Sequence, residues 1–433
     1  MLVKFDNRRY IELKEFDMKK SFLIITMMVL GISLFAAGAA ESATTAKPTT
    51  LSVLWFNDAN ESDVFLDTIQ DYLAANPNVK VDMQVIAFNE YEQKLKLMIS
   101  GGNPPDVARI TNNHLAALGP SLEPIDSYVS NIEEVKKQFM PASVAFTLGP
   151  KGEMLAYPTE ATANGMIVNL TAWKKAGIDV KELSKTWTWT EWEAAVKKVI
   201  AANDKIKYGL ALDFTPHRFS TIMFEFGGSF MNSNQTAIDF VKKENIDAIN
   251  YVKHLHDSGL VPKSVWLGSE NPAELFQAGL VASHIGGSWL INTYNTNVKD
   301  FEWCAVSTPK GKINSSVPGG KFIASFKDSK NKKAAMDLMA AFSDKKHNEL
   351  YCLNTFNLSS RLDSNVQYPS NVGDFAVFQS DLSKTPAFTA VEWKDANVNK
   401  ISATLREQIV QVLLGNITAD AAVRAVQDKA DSL

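Results

Sequence analysis

Between Leu51 and Trp55 apolar and polar residues alternate, with Leu51, Val53 and Trp55 on one face, the period of a β-strand. From Glu61 the period lengthens. Val64, Phe65, Ile69 and Leu73 recur at helical spacing as far as Ala75, where Asn76-Pro77 ends the run. "VKVDMQVIAF" alternates again, "EYEQKLKLMIS" is helical up to Gly101-Gly102, and "DVARI" after Pro104-Pro105 predicts a third strand. Strand, helix, strand, helix, strand is the signature of an α/β layer around a parallel sheet. Such sheets take their ligands beyond the carboxyl ends of the strands, where the strand order reverses.

A second set of elements begins near Tyr157. "GMIVNLTAW" predicts a strand, and "TWTWTEWEAAVKKVIAAN" a helix opened by a capping box of Thr190 and Glu193, with Trp192 and Val196 on its apolar side. Trp187, Trp189 and Trp192 accordingly read as packing around a helix start rather than as a binding platform. "YGLALDF" is another strand, and 238–258 an amphipathic helix ending at Gly259, the usual C′ glycine. An apolar run at 280–285 then meets Gly286, Gly287 and, after Ser288, Trp289. Paired glycines permit a sharp turn or a close approach, so they predict that the chain turns at a strand end and presents Trp289 to a ligand. Core packing is the alternative for this ring. "FEWCAVSTP" is a further strand, and helices dominate the remainder, at Lys332–Phe342, 401–414 and 419–428. No internal repeat is visible.

The length of 433 residues exceeds what one core ordinarily supports, about 250–300 residues, and predicts two lobes. With 45% hydrophobic residues and 44 basic against 48 acidic side chains, the chain is too apolar for disorder and carries no charge excess to attract nucleic acid or an anionic membrane. From Met18, two lysines precede an apolar stretch from Phe22 to Phe35 and the small residues Ala37-Gly38-Ala39, the order of an export signal cleaved near Ala40 or Glu41. An uncleaved anchor is the alternative. The polar stretch 41–50 then serves as a linker, and 1–17 fits no targeting element. Cys304 and Cys352 are the only cysteines, and neither stands near the cleavage position to carry a lipid. They either pair or act as two small buried hydrophobes.

Catalytic patterns are missing. There is no G-x-S-x-G elbow and no G-x-G-x-x-G, and "PGGKF" has Phe322 where a phosphate loop needs Ser or Thr. His254 and His256 lie two apart on a predicted helix and face apart, so they cannot share a metal. No cofactor, metal or catalytic residue is expected. Instead, aromatic and amide residues gather at strand-to-loop junctions: Asn57 after Trp55-Phe56, Asn112-Asn113, Phe226 before Gly227-Gly228, Trp289, Phe322 and Trp393. Such a set suits sugars, whose rings offer apolar faces and hydroxyl rims, because each amide can both donate and accept.

The order of "NPNVKVDMQVIAFNEYEQKLKLMISGGNPPDVARI", "GEMLAYPTEATANGMIVNLTAWKKAGID", "FEFGGSF", "AELFQAGLVASHIGGSWLI" and "VPGGKFIASFKDSKNKKAAMDLMAAFS" resembles family 1 extracellular solute-binding proteins of carbohydrate ABC transporters, distantly including maltose-binding protein. The resemblance, from about Thr50 to the C-terminus, implies the two-lobed type II periplasmic-binding-protein fold, an α/β architecture with a hinge and a ligand cleft between lobes. Lobe I would comprise 50–158 and 312–355, and lobe II 159–311 and 356–433. It also implies ligand contacts from Glu160 and Asn164 in the "YPTEATAN" crossing, from Gly320, Lys321 and Phe322, from Arg361 at the cleft edge, and from Trp289 as a sugar platform. Arg109 departs from the pattern, standing where relatives often carry a small or aromatic residue. The implied function is capture of a sugar or oligosaccharide outside the cytoplasm and delivery, by a monomer, to the permease of an ABC importer. Two rivals remain: the same fold binding a polyamine, a phosphorylated polyol or ferric ion, and a secreted glycan-active enzyme.

Overall fold

The first predicted alternation folds as strand β1 (Thr49–Trp55), followed by β2 (Val79–Val85), β3 (Val107–Thr111), β4 (Tyr157–Asn169), β5 (Tyr208–Leu212), β6 (Val281–Gly287), β7 (Trp303–Val306), β8 (Pro318–Ala324) and β9 (Leu358–Ser359). The computed structural model describes residues 48–433; the expected export signal from Met18, its cleavage position and residues 1–17 lie outside them. The strands run in the spatial order β2-β1-β3-β8-β4-β6-β5, with β7 and β9 pairing β4. β1 pairs β2 and β3 in parallel, and β5 pairs β6 in parallel. β8 runs antiparallel to both β3 and β4. The sheet is therefore mixed rather than wholly parallel, because the two crossing strands β4 and β8 pass one another in opposite directions.

β4 explains how one chain joins the two strand groups. Its first half pairs β8 and β9, and its second half, from Asn164, pairs β6 and β7. All thirteen of its residues are buried, so its sequence carries no alternation. In the outer strands the period-2 pattern does its sorting. Leu51, Val53 and Trp55 of β1 join Val107 and Ile323 in one core, whereas Leu54 joins Ala108, Ile110, Phe322 and Ala324 in the other.

Several predicted boundaries move, each for a local reason. The expected helix at 61–75 is two helices, Glu61–Thr68 and Gln70–Ala75, broken at Ile69. The capping box is Thr188 with Glu191 rather than Thr190 with Glu193. The repeated Thr-Trp pattern offers both registers, and the earlier one buries Trp187, Trp189 and Trp192 together. There the indole N–H of Trp187 donates to the Ser307 carbonyl at 2.9 Å and that of Trp189 to Glu225 Oε2 at 2.9 Å. The expected helix at 238–258 starts only at Lys243, since Ile238 bridges to Met231 and the Phe240 N–H is taken by Gln427. It stops as expected at Gly259, whose φ is +73°. Lys332–Phe342 is a helix with the predicted ends, while the helix expected at 401–414 begins earlier, at Ala396, capped by Asp395. Cys304 and Cys352 are free and buried, so they pack as small hydrophobes and do not pair. Among the described residues no helix is long and apolar enough to cross a membrane.

Candidate functional site

The carboxyl ends of β1, β3, β5 and β6 open onto one cavity of about 670 Å³, also lined by Thr162 of β4 and by Gly320 and Lys321 of β8. This is the position that parallel strand ends reserve for ligands, and the volume falls within the range of small-molecule sites, about 300–1,000 Å³.

Trp289 stands where β6 gives way to the helix Leu290–Asn297, and the two glycines before it have a geometric purpose. Neither has a left-handed backbone, so they do not make the sharp turn expected of them. A Cβ on Gly287 would instead lie 1.9 Å from Cζ3 of Trp289, and one on Gly286 would lie 2.3 Å from Cδ1 of Leu290. The indole folds back over its own strand, and only a bare backbone leaves room for it.

Trp289 is half-buried, and the Arg218 guanidinium stacks on its ring at 4.3 Å from the centroid. Arg218 is itself fixed from three sides: Nε donates to Asp213 Oδ2 at 3.2 Å, and Nη1 reaches Asn164 Oδ1 at 3.2 Å and His217 Nδ1 at 2.9 Å. Asp213 Oδ1 also lies 2.7 Å from Nε2 of His284, whose Nδ1 is 2.5 Å from the Tyr294 hydroxyl. Burial pushes the Asp213 carboxyl up, but His284 and Arg218 outweigh it and hold the group below the usual carboxylate range. Burial, reinforced by Arg218, pushes His217 well below the ordinary imidazole value, which keeps that ring neutral.

A second charged network lies under β1, β3 and β8. Arg109 is 1% exposed; its Nη2 donates to Glu160 Oε1 at 2.7 Å and its Nη1 to the Phe56 carbonyl at 2.7 Å. The Tyr351 hydroxyl donates to the same Glu160 oxygen at 2.8 Å. Lys321 pairs with Asp58 and lies 3.5 Å from Glu160 Oε2. Burial acts to raise Asp58, but Lys321 and Arg109 together hold it low. The arginine that departs from the family pattern therefore supplies the countercharge for Glu160. Each cation in these networks already has a carboxylate partner.

Of the residues expected from sequence, Asn57, Asn112, Trp289, Gly320 and Lys321 line the cavity. The others do not. Glu160 is fully buried behind it, its Oε1 bonded by Arg109 and Tyr351 and its Oε2 left with only the Lys321 ammonium nearby, at 3.5 Å. Asn164 is buried as well, its amide donating to the His217 carbonyl and the Thr221 hydroxyl at 3.0 Å each while its oxygen holds Arg218. Phe322 is covered in the core near Phe146. Trp393 is covered too, with its N–H on Ser220 Oγ at 3.0 Å. Phe226 packs on Tyr251, 5.1 Å between centroids, and Arg361 is clamped by Asp363 and the Ser343 carbonyl. Residues that the sequence reading missed include Asp58, Asp213, His217, Arg218 and Phe88, the last 54% exposed at the cavity. A polar or charged residue directly after an apolar strand, as in "LALDF" with Asp213, was the available signal.

Comparison with known proteins places this geometry. A protein of Brucella abortus named only as a binding protein is 22% identical over 417 residues, covering 94% of this chain and 97% of its own. The sn-glycerol-3-phosphate-binding periplasmic protein of the same organism is 29% identical over 146 residues, 33% of this chain and 28% of that one. Among solved structures, an ABC substrate-binding protein from Listeria monocytogenes in complex with cycloalternan superposes with a TM-score of 0.77 at 22% identity, covering 88% of this chain and 98% of that one. Maltose-bound MalE3 of T. maritima gives 0.76 at 16% identity, covering 89% and 100%. The fold is thus the α/β periplasmic-binding-protein fold expected from sequence, with a mixed rather than a parallel sheet. Residues 58–349 match the model of the bacterial extracellular solute-binding protein family, a family of binders rather than catalysts, and the chain belongs to it.

Proposed function

We propose that the cavity captures a sugar or oligosaccharide outside the cytoplasm and that the protein delivers it to the permease of an ABC importer. One observation carries the reading: a half-open indole, Trp289, shares a cavity with amides and with Asp58 and Asp213, whose charges are already matched by Arg218, Lys321 and Arg109. A neutral ring with an apolar face and a hydroxyl rim fits that surface. A phosphorylated polyol, which the glycerol-3-phosphate-binding relative takes according to its name, would need a cation without a carboxylate partner.

Closure would hinge on β4 and β8, with 50–158 and 312–355 in one lobe and 159–311 and 356–433 in the other. The Met140 N–H donates to the Ser360 carbonyl and the Leu362 N–H to the Gln138 carbonyl, so we place the last crossing after Leu362 rather than at 355. The rim contacts between Asn292 Nδ2 and Asn60 Oδ1 at 2.8 Å, and between the Thr293 hydroxyl and the Asp58 carbonyl at 3.4 Å, would then latch the two lobes together. Thermal-shift screening of the mature protein against a glycan panel, followed by calorimetry, tests the reading, since a ligand that binds only the folded state raises the melting temperature. Stabilisation by glycerol-3-phosphate and by no sugar would overturn it.

A further inference from the structure

Next to the cleft lies a second, more enclosed space of about 240 Å³. Thr162 lines both, so the two meet at that residue. Gly319 stands at the same junction: a methyl there would lie 2.7 Å from Thr162 Oγ1, 3.2 Å from Asn112 Oδ1 and 4.0 Å from His217 Cε1. Glycine therefore leaves room at this junction for the Thr162 and Asn112 side chains. Phe146, Leu382 and Ala390 give the inner chamber carbon walls.

Two hydroxyls interrupt those walls. Ser143 is 4% exposed and Thr162 9% exposed, and both line the chamber. The chamber thus offers an apolar surface and two hydrogen-bonding points. Another sugar ring would bring several hydroxyls into it and leave most without partners, which is costly. A phenyl group would not: a dry apolar cavity of roughly 150 Å³ already accepts benzene.

Resting on the carbohydrate reading, we propose that this chamber is a subsite for an apolar substituent of the ligand, an aryl or short alkyl aglycone on the sugar in the cleft. Its linking oxygen would meet the hydroxyls of Thr162 and Ser143. The protein would then select glycosides over free sugars.

Two arms test this on the mature chain. In the first, benzyl alcohol alone is titrated by ligand-observed NMR. Saturable binding is expected for the wild type, weaker binding for Ser143→Ala, and none for Ala390→Trp, which fills the chamber from the helix Phe388–Lys394. In the second, each sugar that raises the melting temperature is compared by calorimetry with its phenyl glycoside. The glycoside should bind at least tenfold more tightly, and Ala390→Trp should erase that gain while leaving the free sugar's affinity unchanged. A melting temperature near that of the wild type shows that the tryptophan variant is folded, and Ser143→Ala provides the readout if it is not. Benzyl alcohol binding that is absent, or indifferent to both variants, overturns the subsite, as does a phenyl glycoside no better than its parent. Benzyl alcohol binding without binding of any sugar keeps the chamber as a site but overturns the aglycone assignment together with the carbohydrate reading.

Discussion

Replacing Gly287 by alanine moves the Trp289 ring without touching the ring's own chemistry. The added Cβ would stand 1.9, 2.1 and 2.6 Å from three ring carbons. Carbon atoms in contact sit about 3.5–4.0 Å apart, so the ring edge has to retreat by at least ~1.6 Å. Backbone strain does not contribute, because Gly287 lies in β6 without a left-handed φ. What is lost is position. The indole cannot keep its seat against Arg218, 4.3 Å from its centroid, and accept the methyl as well. Overpacking of this kind costs about 1–3 kcal/mol of stability, and the disturbed cation–π contact about 0.5–2 kcal/mol more.

Affinity separates the readings better than stability does. If the ring is a platform, Gly287→Ala and Trp289→Ala should both weaken sugar binding by tenfold or more in calorimetry, the first with all tryptophans present. Ligand-induced fluorescence change should shrink in both variants. If Trp289 were only packing, truncating it would cost about 3–5 kcal/mol and binding would fail only through unfolding. Gly287→Ala with wild-type affinity and melting temperature would refute the geometric argument outright.

Glu160→Gln leaves Arg109 and Lys321 facing a neutral amide and should lower unfolding free energy in urea by about 3–5 kcal/mol; a loss below about 1 kcal/mol would mean that Asp58 alone balances both cations. Asn164→Ala removes the acceptor that holds Arg218 Nη1, so calorimetry should show about tenfold weaker sugar binding even though the residue does not line the cavity. Burial holds the Glu225 carboxyl well above its usual pKa, and its Oε1 has no partner. A raised folded-state pKa contributes stability that is full below the unfolded value, about 4.3, and fades as pH rises. Glu225→Gln should therefore melt higher than wild type above about pH 5, with the gap closing near pH 4, in a scanning-fluorimetry pH series. Asp58 has the opposite sign: its pKa is lowered, so its contribution stays intact until pH falls below about 3.9 and is lost only through its lower folded value.

What the sequence revealed in advance divides by distance along the chain. Strands with one alternating pattern, such as β1, were readable because period 2 survives when the two faces meet different cores. β4 was readable as a crossing only through family resemblance, since burial on every side erases the period and gives no hint of where Glu160 or Asn164 point. Their partners are remote: Arg109 and Glu160 are 51 residues apart, and Lys321 and Asp58 are 263. Nothing local distinguishes a carboxylate that meets a ligand from one that meets an arginine arriving on another strand. The same holds for Phe322 and Trp393, where only the packed neighbours decide between cleft and core. Trp289 differed because its constraint is written within two residues, a ring that needs a glycine beneath it. A short-range steric demand of that kind leaves its mark in the sequence whatever the rest of the fold does, and a long-range charge pair does not.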